Sequence, residues 1–383
     1  MPRLSPAVLL LLCGLAQQVA AQQYDLRVFS VEDGLPSATV RSVTEDGQGF
    51  LWLATDGGAC RSEGRAFQTL DERLGASGSA VSTLHRSNSN ILWAGLADGG
   101  IAQWDGHRFI AFPGKLNTRV RSLLADEEGR VWACDIEGHA RVFTAEGKVV
   151  QALTDHLAQV WVNKLVADTN GDIWAGTDDG LLHYTAKAWH EVNESNGLPK
   201  ARILDLAVDS NDLLIGTTAG LVIRQGDHFA VLDSTSGLLS NRVQAVLEGR
   251  DGALWLGTPA GMVRILRRGN DPKAWRITTV TEANGLGHND VRCLYQDRSG
   301  ALWVGTAFGG VSKFVSSALA HVTERDGLRS RIVSAVRRTP DSTLWFGTYG
   351  GGVARIEGLK VHNYGMEEGL SDLFVRTLWN LPS

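Results

Sequence analysis

The stretch DRSGALWVGTAFGGV, residues 297–311, decides the fold, because seven other segments of the chain are variants of it. They read DGQGFLWLATDGGA from Asp46, NSNILWAGLADGGI from Asn88, DEEGRVWACDIEGHA from Asp126, DTNGDIWAGTDDGL from Asp168, DSNDLLIGTTAGL from Asp209, GRDGALWLGTPAGMV from Gly249 and TPDSTLWFGTYGGGV from Thr339. The anchoring aromatic falls at Trp52, Trp93, Trp132, Trp174, Trp255, Trp303 and Trp345, with Leu214 standing in once. Successive anchors lie 41, 39, 42, 40, 41, 48 and 42 residues apart. A fixed period of about 40 to 45 residues with several short strands per period is the signature of a β-propeller blade. The chain is therefore expected to be all-β, a propeller of four-stranded blades.

Working outward from residues 297–311, turn residues divide the repeat into strands at 291–296, 302–306, 311–314 and 320–323. Asp297 and Gly300 supply the side-chain acceptor and the positive φ that a tight turn needs. The Trp offers a large flat surface able to wedge between blades. Twelve residues before each Trp stands a valine, at Val40, Val81, Val120, Val162, Val243, Val291 and Val333, with Ile203 in the shorter repeat. Gly-Leu turns precede most of them, from Gly34-Leu35 to Gly369-Leu370. Residues 26–31 read as an isolated outermost strand, and residues 372–379 as a further inner strand. The N-terminal strand can complete a blade begun at the other end, which removes an open edge. This predicts a seven-bladed ring over residues 22–315, with residues 316–383 the start of a second ring. A single eight-bladed ring is the alternative.

Residues 1–21 have Arg3, an apolar run over residues 7–15 and a small-residue site at Val19-Ala20-Ala21, the pattern of a secretory signal peptide. No later run approaches the 18 or so apolar residues that span a bilayer. Removing Arg3 with the leader takes the formal charge from −5 to −6, which argues against nucleic acid as a partner. The three remaining cysteines, Cys60, Cys134 and Cys293, are scattered over the repeats and read as small buried side chains.

The pairing of a GLP or GLS turn, an apolar strand and D-x-x-G-x-L-W-x-G-T resembles the two-component regulator propeller repeat. The resemblance runs from Tyr24 onward, with local departures at Cys134-Asp135 and at 211–214. It implies the exported sensor region of a bacterial histidine kinase or diguanylate cyclase receptor, here apparently truncated before any output domain. On that basis the chain is expected to be a non-catalytic, periplasmic or secreted ligand-sensing segment with no cofactor, whose partner is a signalling output domain or protein. An exported enzyme of streptogramin-lyase type and an interaction scaffold are the competing readings.

Chemistry-bearing constellations are sparse. Asp168-Thr169-Asn170-Gly171-Asp172 opens like a calcium loop, but its Gly is fourth and its twelfth residue is Asp179, where an EF-type loop has Gly sixth and Glu twelfth. It is read as an acidic turn, and no metal ligand or catalytic residue is assigned. One positional bias remains. The residue before the strand A slot is Arg119, Arg202 and Arg242 in three blades and Trp161 in a fourth, while Arg41, Arg121 and Arg292 follow the slot. Guanidinium groups converging on the channel rim suit a carboxylate, sulfate or uronic acid. Arg119, Trp161, Arg202 and Arg242 are therefore the candidate ligand-binding residues, for an oligosaccharide or another anionic small ligand. The competing reading has these arginines salt-bridged to acids of neighbouring blades.

Overall fold

The structure, a computed structural model, describes residues 26–62, 66–70, 80–208, 212–226, 228–267, 272–314, 327–339, 343–357 and 360–379. The leader, and the strand expected at residues 320–323, lie outside the described residues. The chain divides into two compact units, with the boundary after Phe314.

The first unit is a ring of seven antiparallel sheets. Inner strands, here called A, run Val40–Glu45, Val81–Arg86, Val120–Ala125, Val162–Ala167, Ile203–Val208, Ala245–Glu248 and Val291–Gln296. They meet in an unbroken cycle, each packing on the next and the seventh on the first. The N-terminal strand Leu26–Phe29 pairs with Val311–Phe314 of the seventh blade, Leu26 opposite Phe314 and Phe29 opposite Val311. That blade thus takes its outermost strand from the other end of the unit. The ring shuts at seven, and the eight-bladed alternative is set aside.

Each letter of the repeat has a physical task. Asp46, Asp126, Asp168 and Asp297 accept turn backbone N–H groups on Oδ1, and on Oδ2 the indole N–H of Trp52, Trp132, Trp174 and Trp303 at 2.7–3.1 Å. The indole then lies against the following blade. Trp52 meets Trp104 and Phe109, Trp132 meets Tyr184 and Trp189, Trp255 meets Phe314, and Trp303 meets Phe67 of the first blade across the closure and Phe29 of its own blade. The glycine two residues after the Trp permits that approach. A Cβ on Gly257 would sit 2.7 Å from Val291 Cγ1, and one on Gly305 2.8 Å from Val40 Cγ1, both methyls belonging to slot valines of the next blade. The following Thr, buried at Thr258 and Thr306, donates across the next turn to the carbonyl of Gly261 or Gly310.

The third blade departs from four strands. Beyond Ala140–Phe143 a single bridge, Phe143 to Val149, leads into the helix Gln151–Leu157. Thr154 Oγ1 accepts the Val142 N–H at 3.1 Å, and Val142 O accepts from Val150 N, so the helix covers the edge where an outer strand would pair. Leu153 and Leu157 bury against Val142 and Trp132.

The second unit contains a sheet in the order Val333–Arg338, Leu344–Thr348, Val353–Glu357, Lys360–Tyr364. Residues 372–379 form no ladder. Phe374 makes one bridge to Tyr349, and Val375 donates its N–H to Thr348 O at 3.0 Å. A Cβ on Gly347 would lie 2.7 Å from Val375 Cγ1, so Val375 occupies the place that a slot valine takes inside the ring.

Candidate functional site

The axial channel of the ring supplies the site, and a backbone irregularity aims its side chains. In the first five blades and the seventh, strand A has a register shift between the slot residue and the residue two beyond it. A bulge leaves one extra residue out of the ladder and re-aims its side chain. Those extra residues are Arg41, Ser82, Arg121, Asn163, Leu204 and Arg292. In the sixth blade Gln244 holds the same position just ahead of its strand. All seven line a depression of about 320 Å³ at the channel mouth, together with Arg119, Arg242, Lys164 and Asp205.

Six of these groups are cationic, Arg41, Arg119, Arg121, Lys164, Arg242 and Arg292, against one carboxylate, Asp205. Lys164 and Asp205 pair at 2.7 Å. Burial opposes charge on Lys164, and the Asp205 pairing outweighs it, holding the ammonium above its usual pKa. Arg41 is bound to Asp56, and Arg292 to Asp290, which also accepts from Gln244. Arg121 donates to Asn163 Oδ1 at 2.6 Å, and Asn163 donates to Asp178 at 2.7 Å. Burial lowers the pKa of Arg121 from its ordinary value, the nearby Asp178 carboxylate opposes that, and the charges of Arg202 and Arg242 add to it. Among the described residues, Arg119, Arg121 and Arg242 have no carboxylate partner. Low-dielectric walls and three guanidinium groups without a direct carboxylate ion pair make the mouth attractive to an anion.

Of the four residues marked in the sequence, Arg119 and Arg242 line this mouth. Arg202 is instead ion-paired to Asp178 of the neighbouring blade at 2.8 Å. Trp161 is 45% exposed and lies over Gly138, where a Cβ would come within 2.4 Å of the indole. Sequence reasoning left Asn163 and Gln244 out, and noted Arg41, Arg121 and Arg292 without assigning them. Position one after the slot was their signal.

Deeper in the channel a cavity of about 420 Å³ continues past Lys164, Asp205 and Cys293 toward Asn88, Asp126 and Glu127. Cys60, Cys134 and Cys293 are free thiols, and burial pushes each up to about 12. None supplies a thiolate nucleophile near neutral pH.

This geometry defines a seven-bladed β-propeller with an axial, cation-lined mouth. Three segments, residues 34–57, 237–260 and 285–308 in the first, sixth and seventh blades, match the two component regulator propeller family. Among solved structures, the chain is 18% identical to the extracellular domain of a protein described as a hybrid two component system, BT3049, from B. thetaiotaomicron. The TM-score is 0.59, over 89% of this chain and 55% of that one. The corresponding domain of BT4673 from the same organism is 17% identical, with a TM-score of 0.62 over 94% of this chain and 49% of that one. Virginiamycin B lyase from Staphylococcus aureus is 10% identical, with a TM-score of 0.58 over 76% of this chain and 99% of the enzyme. At these identities the likeness is one of fold. The chain spans about half the length of the two extracellular domains. No curated protein matches it in sequence. Among the described residues no helix is long and apolar enough to cross a membrane.

Proposed function

We propose that this chain is a non-catalytic, exported sensing segment of a bacterial two-component or cyclic-di-GMP receptor, and that its channel mouth binds an acidic oligosaccharide. The observation that carries the reading is the convergence on one depression of the seven positions one after the slot, six of them bulged, where Arg119, Arg121 and Arg242 have no carboxylate ion pair among the described residues. Planar guanidinium forks suit a uronate or sulfate, and the neutral amides Asn163 and Gln244 suit hydroxyl groups. Shared repeats with two component regulators support the signalling context, and the leader pattern at residues 1–21 supports export to the periplasm. Signal output belongs to a separate domain or partner protein. The mouth binds rather than reacts: its one carboxylate is tied to Lys164, and the buried thiols Cys134 and Cys293 stay protonated.

Calorimetry across a panel of uronic-acid-containing, sulfated and neutral oligosaccharides tests this. The wild type is expected to prefer the acidic members, with affinity falling as salt rises. Each charge-assisted hydrogen bond contributes about 1.5–3 kcal/mol, so an Arg119, Arg242 double alanine variant is expected to bind at least about tenfold more weakly. Equal affinity for both proteins, or preference for neutral sugars, would exclude the mouth as an acidic-glycan site. Turnover of a cyclic depsipeptide with Mg²⁺ would replace the sensor reading with a lyase one.

A further inference from the structure

The fourth blade breaks a charge pattern that the first, third, sixth and seventh blades keep, and the break assembles a metal-ligating set away from the channel. On strand C, the residue paired directly opposite the anchor Trp is Arg61 in the first blade, Arg264 in the sixth and Lys313 in the seventh. Each places its cation 5.0–5.8 Å from the indole centroid. Arg264 also reaches the carboxylate of Asp251 in its own A to B turn, at 2.9 Å. In the third blade the cation comes from the turn itself. Arg130, four residues after Asp126, binds the Asp126 carboxylate at 2.7 Å and lies over Trp132. These blades therefore set a cation beside the indole, and two of them bond it to a turn carboxylate.

Both cation positions change in the fourth blade. Opposite Trp174 stands His183, stacked on the indole at 3.6 Å with the rings 7° from parallel. Four residues after Asp168, where the third blade has Arg130, stands Asp172. A site that holds one carboxylate and one cation elsewhere now holds two carboxylates and an imidazole. Ligating atoms of Asp168, Asp172 and His183 lie within 4.8 Å of one another. His183 Nε2 is buried and makes no hydrogen bond, although it is 3.4 Å from Asp172 Oδ2. Asp168 is held rigidly by the Trp174 indole N–H and by the N–H groups of Asn170 and Asp172. The nearest guanidinium at this indole is Arg224, from the fifth blade, 5.0 Å from the Trp174 ring.

We propose that Asp168, Asp172 and His183 bind a divalent transition-metal ion of the Zn²⁺ class, which clips the A to B turn of the fourth blade to its third strand. One imidazole nitrogen with two carboxylates suits Zn²⁺, whereas Ca²⁺ and Mg²⁺ take all-oxygen sets. Bonds of about 2.0–2.2 Å put tetrahedral ligand atoms about 3.3–3.5 Å apart. The His183 to Asp172 separation already has that value. Asp172 and His183 keep 26% and 18% of their side-chain surface exposed, which leaves a side for entry and for a water ligand. His190, cross-strand partner of His183 with its ring 6.4 Å away, flanks the site.

The test uses the whole chain without an affinity tag, stripped with a chelator and titrated with Zn²⁺ alone. One equivalent is expected to bind with micromolar or tighter affinity and to raise the melting temperature. Two variants restore residues that sister blades carry at these positions, so both are expected to fold: Asp172→Ala, as at Ala253 and Ala301, and His183→Arg, as at Arg264. Each is expected to weaken Zn²⁺ at least tenfold while leaving the metal-free melting temperature close to that of the wild type. Absence of one-equivalent binding to the wild type, or equal binding by both variants, would overturn the site. Tighter binding of Ca²⁺ than of Zn²⁺, lost in Asp172→Ala, would overturn the metal class.

Discussion

At the scale of single residues, the turn aspartate does more than shape a hairpin. Asp297 accepts the Ala301 N–H and the Ser299 hydroxyl on one oxygen and the Trp303 indole on the other. Burial works against its charge, and these donors outweigh burial, so its pKa lies below the usual aspartate value. A folded-state pKa depressed in this way contributes stability that is fully present above the unfolded value of about 3.9 and is lost as pH falls through the folded pKa. Asp297→Asn, which turns an amide N–H toward the indole N–H, is expected to cost about 1–3 kcal/mol at neutral pH. The gap to wild type is expected to narrow in acid, below the ordinary aspartate range. Urea midpoints at pH 7 and pH 3 measure both, and a gap that does not change with pH would show that the carboxylate charge is not used. The second blade has Ser87 at this place, and there the Trp93 indole N–H is buried without a partner.

At the scale of elements, what matters is which strand meets which. The N-terminal strand Leu26–Phe29 is only four residues long, yet it completes the seventh blade and joins it to the first. Phe29 is 3% exposed, stacks on Trp303 at 5.7 Å and meets Phe67 of the first blade edge-on at 5.4 Å. Phe29→Ala is therefore expected to cost about 3–5 kcal/mol, the range for truncating a core aromatic, measured as a shift in denaturant midpoint. A loss below about 1 kcal/mol would mean that the ring does not depend on this clasp. Strand A illustrates a different control. Its bulge turns one residue toward the axis in six of the seven blades, so irregularities line the mouth beside regular strand positions such as Lys164 and Asp205.

At the scale of the whole molecule, a chain of net charge −5 carries six cationic groups against one acid at the propeller mouth. The local field there opposes the global one, and low-dielectric walls focus it on an approaching anion. Closure of the first unit uses only residues that end at Phe314. A chain of residues 22–314 is accordingly expected to fold and to unfold cooperatively, with the Trp fluorescence change and circular dichroism coinciding. Failure of that chain to fold would mean that residues beyond Phe314 are required by the ring. The strand A valine of the second unit, Val333, is 40% exposed, while its ring counterparts Val40 and Val120 are fully buried, so an identical residue is apolar core in one unit and surface in the other.

Most of the fold was legible in the sequence, because a propeller is written as a period and each letter of the period answers a local need. The strands Val291–Gln296, Leu302–Thr306 and Val311–Phe314 fall where turn residues and β-rich runs put them. The third blade was misread as four-stranded because covering an edge with Gln151–Leu157 depends on a hydrogen bond between Val142 and Thr154, twelve residues apart. The candidate site was legible by half. Arg119 and Arg242 reach the mouth as their place before the slot suggests, but Arg202 is drawn away by Asp178 and Trp161 rests on Gly138, both contributed by the preceding blade in the ring. Arg121, Asn163 and Gln244 share the position one after the slot, which the sequence displays, but that this position faces the mouth is set by the strand backbone. His183 meets Asp168 and Asp172 only through hairpin register. Repeat period and turn chemistry are local and survive in one dimension. Which side chains share a channel or a metal is settled by cross-strand register within a blade and by the neighbouring blade, and neither exists in the linear chain.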